Sequence, residues 1–168
     1  MTLANYLYAL VYSDLYDENK WQNWAENILK NAEYDDNTEW VYNVFLATGK
    51  QKLFDAIYER MYCEGYFNSH VLTEIIQGYY YYQYQSKAIS LYDMLKKSGD
   101  VADAGQDSSM GCEFFYDLLN KIDEDSNIVD SVDFQEKILK YYEPLYLAAM
   151  EQKRKLESAT LKDLKLDL

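Results

Sequence analysis

The chain has 168 residues, 49% of them hydrophobic and 27% charged, which is enough to build one domain around a real core and excludes wholesale disorder. Twenty-nine acids against sixteen bases leave a net charge of −13 and a pI near 4.4. That charge repels nucleic acid and anionic membrane and attracts cationic surfaces. Apolar stretches are broken by charges every few residues, so no transmembrane span is expected. Met1-Thr2-Leu3-Ala4-Asn5 has neither the basic nor the apolar region of a signal peptide. Cys63 and Cys112 are too few for a disulfide framework or a thiolate zinc site. A reduced, cytoplasmic protein is therefore expected. Fourteen Lys against two Arg, with abundant Asn and Tyr, point to an AT-rich bacterial genome.

A single Pro and six Gly favour helices, and apolar residues recur at helical spacing along most of the chain. Leu3, Tyr6, Leu7, Leu10 and Val11 mark a first helix ending near Asp14. Trp21, Trp24, Ala25, Ile28, Leu29 and Ala32 mark a second. Thr38 is placed to cap a third, with Trp40, Val41, Val44 and Phe45 on one face and Gly49 after its end. Leu53, Phe54, Ile57, Tyr58, Met61 and Tyr62 form a fourth stripe, stopped at Gly65. Ser69 is positioned to cap a fifth helix through Ile75, Ile76, Tyr79 and Tyr80. Ala88, Ile89, Tyr92 and Leu95 give a sixth, closed by Gly99. Residues 99 to 110 lack apolar periodicity and read as a loop. Phe114, Phe115, Leu118, Leu119 and Ile122 predict a seventh helix. Ser131 can cap an eighth, through Phe134, Ile138, Tyr142, Leu145 and Ala149, with a kink expected at Pro144.

The expected fold is all-α, about eight helices in a bundle or a short stack of helix pairs. The leading members of three pairs begin near residues 3, 38 and 69, a spacing that resembles tetratricopeptide-like repeats without their consensus. Residues 1–157 are expected to form one helical domain, and residues 158–168 a short amphipathic or frayed tail. The run Gly78-Tyr79-Tyr80-Tyr81-Tyr82-Gln83-Tyr84 has aromatic β-propensity. The unbroken rhythm on either side favours helix, with Tyr79 and Tyr80 continuing the buried stripe and Tyr81, Tyr82 and Tyr84 elsewhere on the surface.

No arrangement of residues makes a case for an enzyme, and no cofactor or metal is expected. Asp123, Asp125 and Asn127 begin like a calcium loop, but Ile128 and Phe134 stand where Gly and a bidentate Glu are needed. His70, the sole histidine, has no metal-ligand spacing around it. Cys112 sits at a helix start without an evident base.

The charge distribution says more. Residues 31 to 49 carry Glu33, Asp35, Asp36 and Glu39 and no base, interleaved with Tyr34, Trp40 and Tyr42. Asp14, Asp17 and Glu18 precede Trp21 and Trp24. Residues 98 to 133 hold ten acids and one Lys. Solvated loops explain part of this, but acids at a rim also steer a basic partner while Tyr and Trp anchor it. In its small size, acidity and Tyr- and Trp-rich composition, the chain resembles immunity proteins of bacterial toxin systems, including contact-dependent growth inhibition. The resemblance implies a non-enzymatic protein that binds a toxin domain tightly and blocks its site.

The functional expectation is an inhibitor of a basic protein, such as a toxin nuclease, by electrostatic and steric occlusion. Asp14, Asp17, Glu18, Glu33, Asp35, Asp36 and Glu39 are expected to steer the encounter. Trp40, Tyr42 and the exposed members of Tyr81, Tyr82 and Tyr84 are expected to anchor it. No direct nucleic-acid or membrane binding is expected, and oligomeric state is left open. Two alternatives belong to other classes: a helical-repeat scaffold holding a peptide on a concave face with Tyr79 and Tyr82, and a DNA mimic with carboxylates at phosphate-like spacing.

Overall fold

The computed structural model describes residues 2–63, 69–105 and 108–164. Over these residues the chain is all-α. It forms α1 (Leu3–Tyr12), α2 (Glu18–Leu29), α3 (Glu39–Leu46), α4 (Lys50–Cys63), α5 (Ser69–Gln85), α6 (Leu91–Gly105), α7 (Cys112–Glu124) and α8 (Val132–Glu157). Short 3-10 turns cover Ser126–Asp130 and Leu161–Leu164. No described helix is long and apolar enough to cross a membrane.

The chain divides into two compact units. Unit 1 is Met1–Phe67 with Gln152–Leu168, and unit 2 is Asn68–Glu151, so α8 contributes residues to both. In unit 1, α1 packs on α4, α2 on α3, and α3 on α4. This nested order differs from a stack of consecutive pairs, in which α1 would lie chiefly on α2. The reason lies in α2, whose Trp21, Trp24, Ala25 and Ile28 share one buried face. Trp21 Nε1–H donates to the Ala47 carbonyl (3.3 Å), just past α3, and Trp24 Nε1–H donates to the Leu156 carbonyl (3.0 Å). Both buried indoles of α2 thus find an acceptor, and in doing so fix what α2 lies against.

The tail of unit 1 is ordered as far as it is described. Leu164 is buried, and Arg60 donates to its carbonyl (3.0 Å). Asp163 caps the final 3-10 turn, accepting from Thr160 N–H (2.7 Å) and Thr160 Oγ1–H (2.8 Å).

Unit 2 is assembled from α5, α6, α7 and the first part of α8, with α6 packed on both α5 and α7. The tyrosine run is helical, as its flanking rhythm predicts. Tyr81 departs from the expected surface position: with Tyr79 and Tyr80 it is buried, and its ring stacks on Tyr142 at 5.2 Å and 13°. Tyr79, fully buried, is unable to line a concave peptide-binding face. The buried centre carries a polar network. Tyr142 OH donates to Ser98 Oγ (2.7 Å), Tyr141 OH to Gln77 Oε1 (2.8 Å), and Gln77 Nε2–H to the Ser98 carbonyl (3.1 Å).

Two glycines set helix spacing here. A Cβ on Gly78 would lie 2.3 Å from the Leu145 carbonyl oxygen, so α5 and α8 cross backbone to backbone. A Cβ on Gly99 would meet Tyr116 Cε1 at 2.9 Å and Phe115 Cβ at 3.2 Å. Gly99 therefore does not close the sixth helix. It lies inside α6, which runs on to Gly105, and the segment read as a loop from 99 is helical to that point. The start also shifts. Lys87 takes φ 62° after α5, and Ser90 and Asp93 cap α6 reciprocally, Asp93 N–H to Ser90 Oγ (3.0 Å) and Ser90 Oγ–H to Asp93 Oδ2 (2.7 Å).

At the remaining expected boundaries, Ser131 caps α8, accepting from Phe134 N–H (3.3 Å), and α8 passes through Pro144 without ending. The expected stop at Gly65 and the capping side chain of Ser69 lie outside the described residues.

Candidate functional site

The expected partner-binding residues fall in both units. The seven acids, Trp40 and Tyr42 belong to unit 1, and Tyr81, Tyr82 and Tyr84 to unit 2.

Four of the acids are committed to the fold of unit 1. Asp14, in the left-handed region at φ 64°, pairs with Lys50. Asp17 caps α2 by accepting from Lys20 N–H (3.0 Å). Glu18 Oε2 accepts from Gly49 N–H (2.8 Å), so Asp14 and Glu18 together hold the turn between α3 and α4. Asp35 Oδ1 accepts from the N–H groups of Asn37 and Thr38 (both 2.9 Å). These backbone bonds hold the Asp35 carboxyl below the usual carboxylate range.

Thr38 does not cap α3 in the expected way. Its buried hydroxyl accepts from Asp35 N–H (2.8 Å) and donates to the carbonyls of Glu33 (3.0 Å) and Asp35 (3.1 Å). Asp35 and Thr38 thereby lock the loop from 33 to 38 from both sides.

That locked loop leaves Glu33, Tyr34, Asp36 and Glu39 at the surface. The Tyr34 side chain is 65% exposed, and its ring lies 5.3 Å from that of half-buried Tyr42. Partial desolvation raises the Tyr34 phenol, followed by its hydrogen bond to Glu39 and the charges of Glu39 and Asp36. Carboxylates thus stand beside the exposed member of this aromatic pair. Beside it a groove of about 320 Å³ is lined by Glu33, Asp35, Asn37 and Thr38 and, from the tail, Leu161 and Leu164. Periodicity gives no hint of the two leucines, because a four-residue 3-10 turn shows no helical repeat.

Trp40 is a core residue, 6% exposed. Its indole packs 5.9 Å from Trp24 with the Arg60 guanidinium 5.9 Å above it, so it has no free face to anchor a partner. Tyr81 is likewise internal to unit 2. Tyr82 and Tyr84 are half-buried, Tyr82 stacked on Tyr146 at 6.4 Å and Tyr84 tilted on Tyr81 at 6.1 Å. Of the expected residues in unit 1, Glu33, Asp36, Glu39 and Tyr42 lie at the surface outside these turn contacts, joined by Tyr34. An exposed Tyr inside an acidic run was the available signal for that last residue.

The residues with potential for chemistry have structural partners. His70 Nε2 lies 3.2 Å from Glu74 Oε1, which also accepts from Ser109 N–H (3.2 Å). Partial burial and the nearby Glu113 and Asp103 carboxylates push the Cys112 thiol up, opposite to the shift that activates a nucleophile. The side chain of Cys63 lies outside the described residues. Asp125 Oδ1 accepts from Asn127 N–H (3.0 Å) and Nδ2–H (3.1 Å), a local turn. Among the described residues no three His, Cys, Asp or Glu gather to hold a metal ion.

No protein-family model, curated protein or solved structure matches the chain significantly.

Proposed function

We propose that the chain is a non-enzymatic inhibitor of the immunity type, which binds a basic toxin domain through the loop surface of unit 1. The observation that carries this reading is exposed Tyr34, paired with half-buried Tyr42, among Glu33, Asp36 and Glu39 on a loop fixed by Asp35 and Thr38. A rigid loop spares a partner the entropy of ordering it. Tyr offers large contact area with few rotors to freeze. The three carboxylates accelerate encounter with a cationic protein, and the net charge of −13 extends that field over the molecule. A nuclease fits as partner because its cleft is cationic in order to attract phosphate.

Co-expression with the product of the adjacent upstream reading frame tests the proposal. Rescue of growth from a lethal neighbour, with co-purification of a stable complex, is the expected result. A neighbour that is harmless and does not bind contradicts it.

A further inference from the structure

Unit 2 has a groove of about 400 Å³ between the end of α5 and the start of α8. Tyr81 and Ile138 form its buried floor. Tyr84 makes one wall, and Val132 (69% exposed) and Leu139 (48% exposed) make the other. Asp130 and Glu136 also line it, and no base does. We propose that this groove takes the apolar face of a basic amphipathic helix from another protein, a binding surface separate from the loop of unit 1.

The spacing and the charge specify that occupant. Val132 and Leu139 stand seven residues apart on α8, about 10.5 Å along the axis at two turns of helix. A docked helix presents anchors at i, i+3 or i+4, and i+7, the same repeat, so its side chains can alternate with these two across the tyrosine floor. Val132 and Leu139 leave much of their apolar surface in solvent. The rim sets the sign of the partner. Asp130 and Glu136 are the charged residues that line it. Of the two bases next along α8, Lys137 stands over the Phe114 ring of α7, 5.1 Å from its centroid, and Lys140 does not line the groove. Lys or Arg flanking the anchors therefore meets opposite charge, whereas an acidic helix, an anionic lipid surface or a second copy of this chain meets like charge.

The test uses a fluorescein-labelled synthetic helical peptide with Leu at i, i+3 and i+7 and Lys at the flanking positions, read by anisotropy against the full chain. The expected result is saturable binding that weakens about tenfold in the Val132→Ser, Leu139→Ser double variant. Glu136→Lys is expected to weaken it further, and peptides with Ala at the anchors or Glu in place of Lys are expected not to bind. Both serine positions are exposed, so an unchanged circular dichroism spectrum confirms that the fold is retained. Neutralising Glu33, Asp36 and Glu39 should leave peptide affinity within about twofold, which separates this groove from the unit 1 surface. Equal binding of the Leu and Ala peptides, or wild-type affinity in the double serine variant, would overturn the proposal. A dimer in sedimentation equilibrium that the same serines disperse would also overturn it, assigning the groove to self-association.

Discussion

Unit 1 buries three tryptophans and unit 2 buries a block of tyrosines, and the polar atom on each ring decides what else must be buried with it. An indole carries one donor and no acceptor, so Trp21 and Trp24 are completed by single backbone carbonyls. A phenol both donates and accepts, and Tyr141 and Tyr142 draw Gln77 and Ser98 into the interior as partners. The difference continues to the surface. Unit 1 uses side-chain hydrogen bonds to stiffen an acidic loop, and unit 2 leaves apolar side chains beside its tyrosines. A tyrosine-rich core is thus costly to repack, because a changed ring position strands hydroxyls as well as voids.

The largest effect that sharpens this contrast comes from backbone spacing. Gly78→Ala places a methyl against the Leu145 carbonyl in unit 2 and is expected to cost about 2–3 kcal/mol, with loss of near-ultraviolet tyrosine ellipticity. Gly49 in unit 1 has φ 84° with open space around it, so Gly49→Ala meets backbone strain alone and is expected to cost less, about 1–2 kcal/mol. Urea denaturation of the two variants measures the difference, and equal costs would break the comparison.

A smaller effect addresses the network itself. Tyr142→Phe removes the bond to Ser98 and is expected to cost about 1–2 kcal/mol. Combined with Ser98→Ala in a double-mutant cycle, it should show a coupling of at least about 0.5 kcal/mol. Strict additivity would mean that the tyrosines of unit 2 act through packing alone.

The smallest effects are in pH. Asp35 has a folded pKa below its unfolded one, so its contribution is present above the unfolded carboxylate range and is lost as pH falls through the folded value. Acid should therefore lower the protection of the Thr38 amide against hydrogen exchange, measured relative to its intrinsic rate, and Asp35→Asn should flatten that dependence. Asp93, capping α6 in unit 2, acts in the same direction. At the alkaline end the sign reverses for Tyr141, whose phenol burial pushes up to about 12. Its contribution is complete below the ordinary phenol value near 10 and is lost as pH rises through 12. Tyrosinate absorbance should show Tyr141 ionising only as unit 2 opens.

Most helices were legible because their buried residues repeat at i, i+3, i+4 and i+7, as in Trp21, Trp24, Ala25 and Ile28. Gly99 was misread because a glycine that admits a neighbouring helix has the same letter as one that ends a helix, and only Phe115 and Tyr116 tell them apart. The site was partly legible for a related reason. Composition locates the acidic run, but which carboxylates bond a backbone amide depends on turn geometry, which ties Asp17, Glu18 and Asp35 to amides while Glu33, Asp36 and Glu39 stand at the surface. Trp40 and Tyr81 sat in the right stretches but on the buried side of their helices.

The most direct measurement is the association rate with the proposed toxin partner, identified by co-expression, taken at low and physiological salt. Wild type would be compared with the Glu33→Gln, Asp36→Asn, Glu39→Gln variant. The account predicts a steep fall with salt in the wild type and an association about tenfold slower and nearly salt-independent in the variant. Equal rates and equal salt slopes would contradict it.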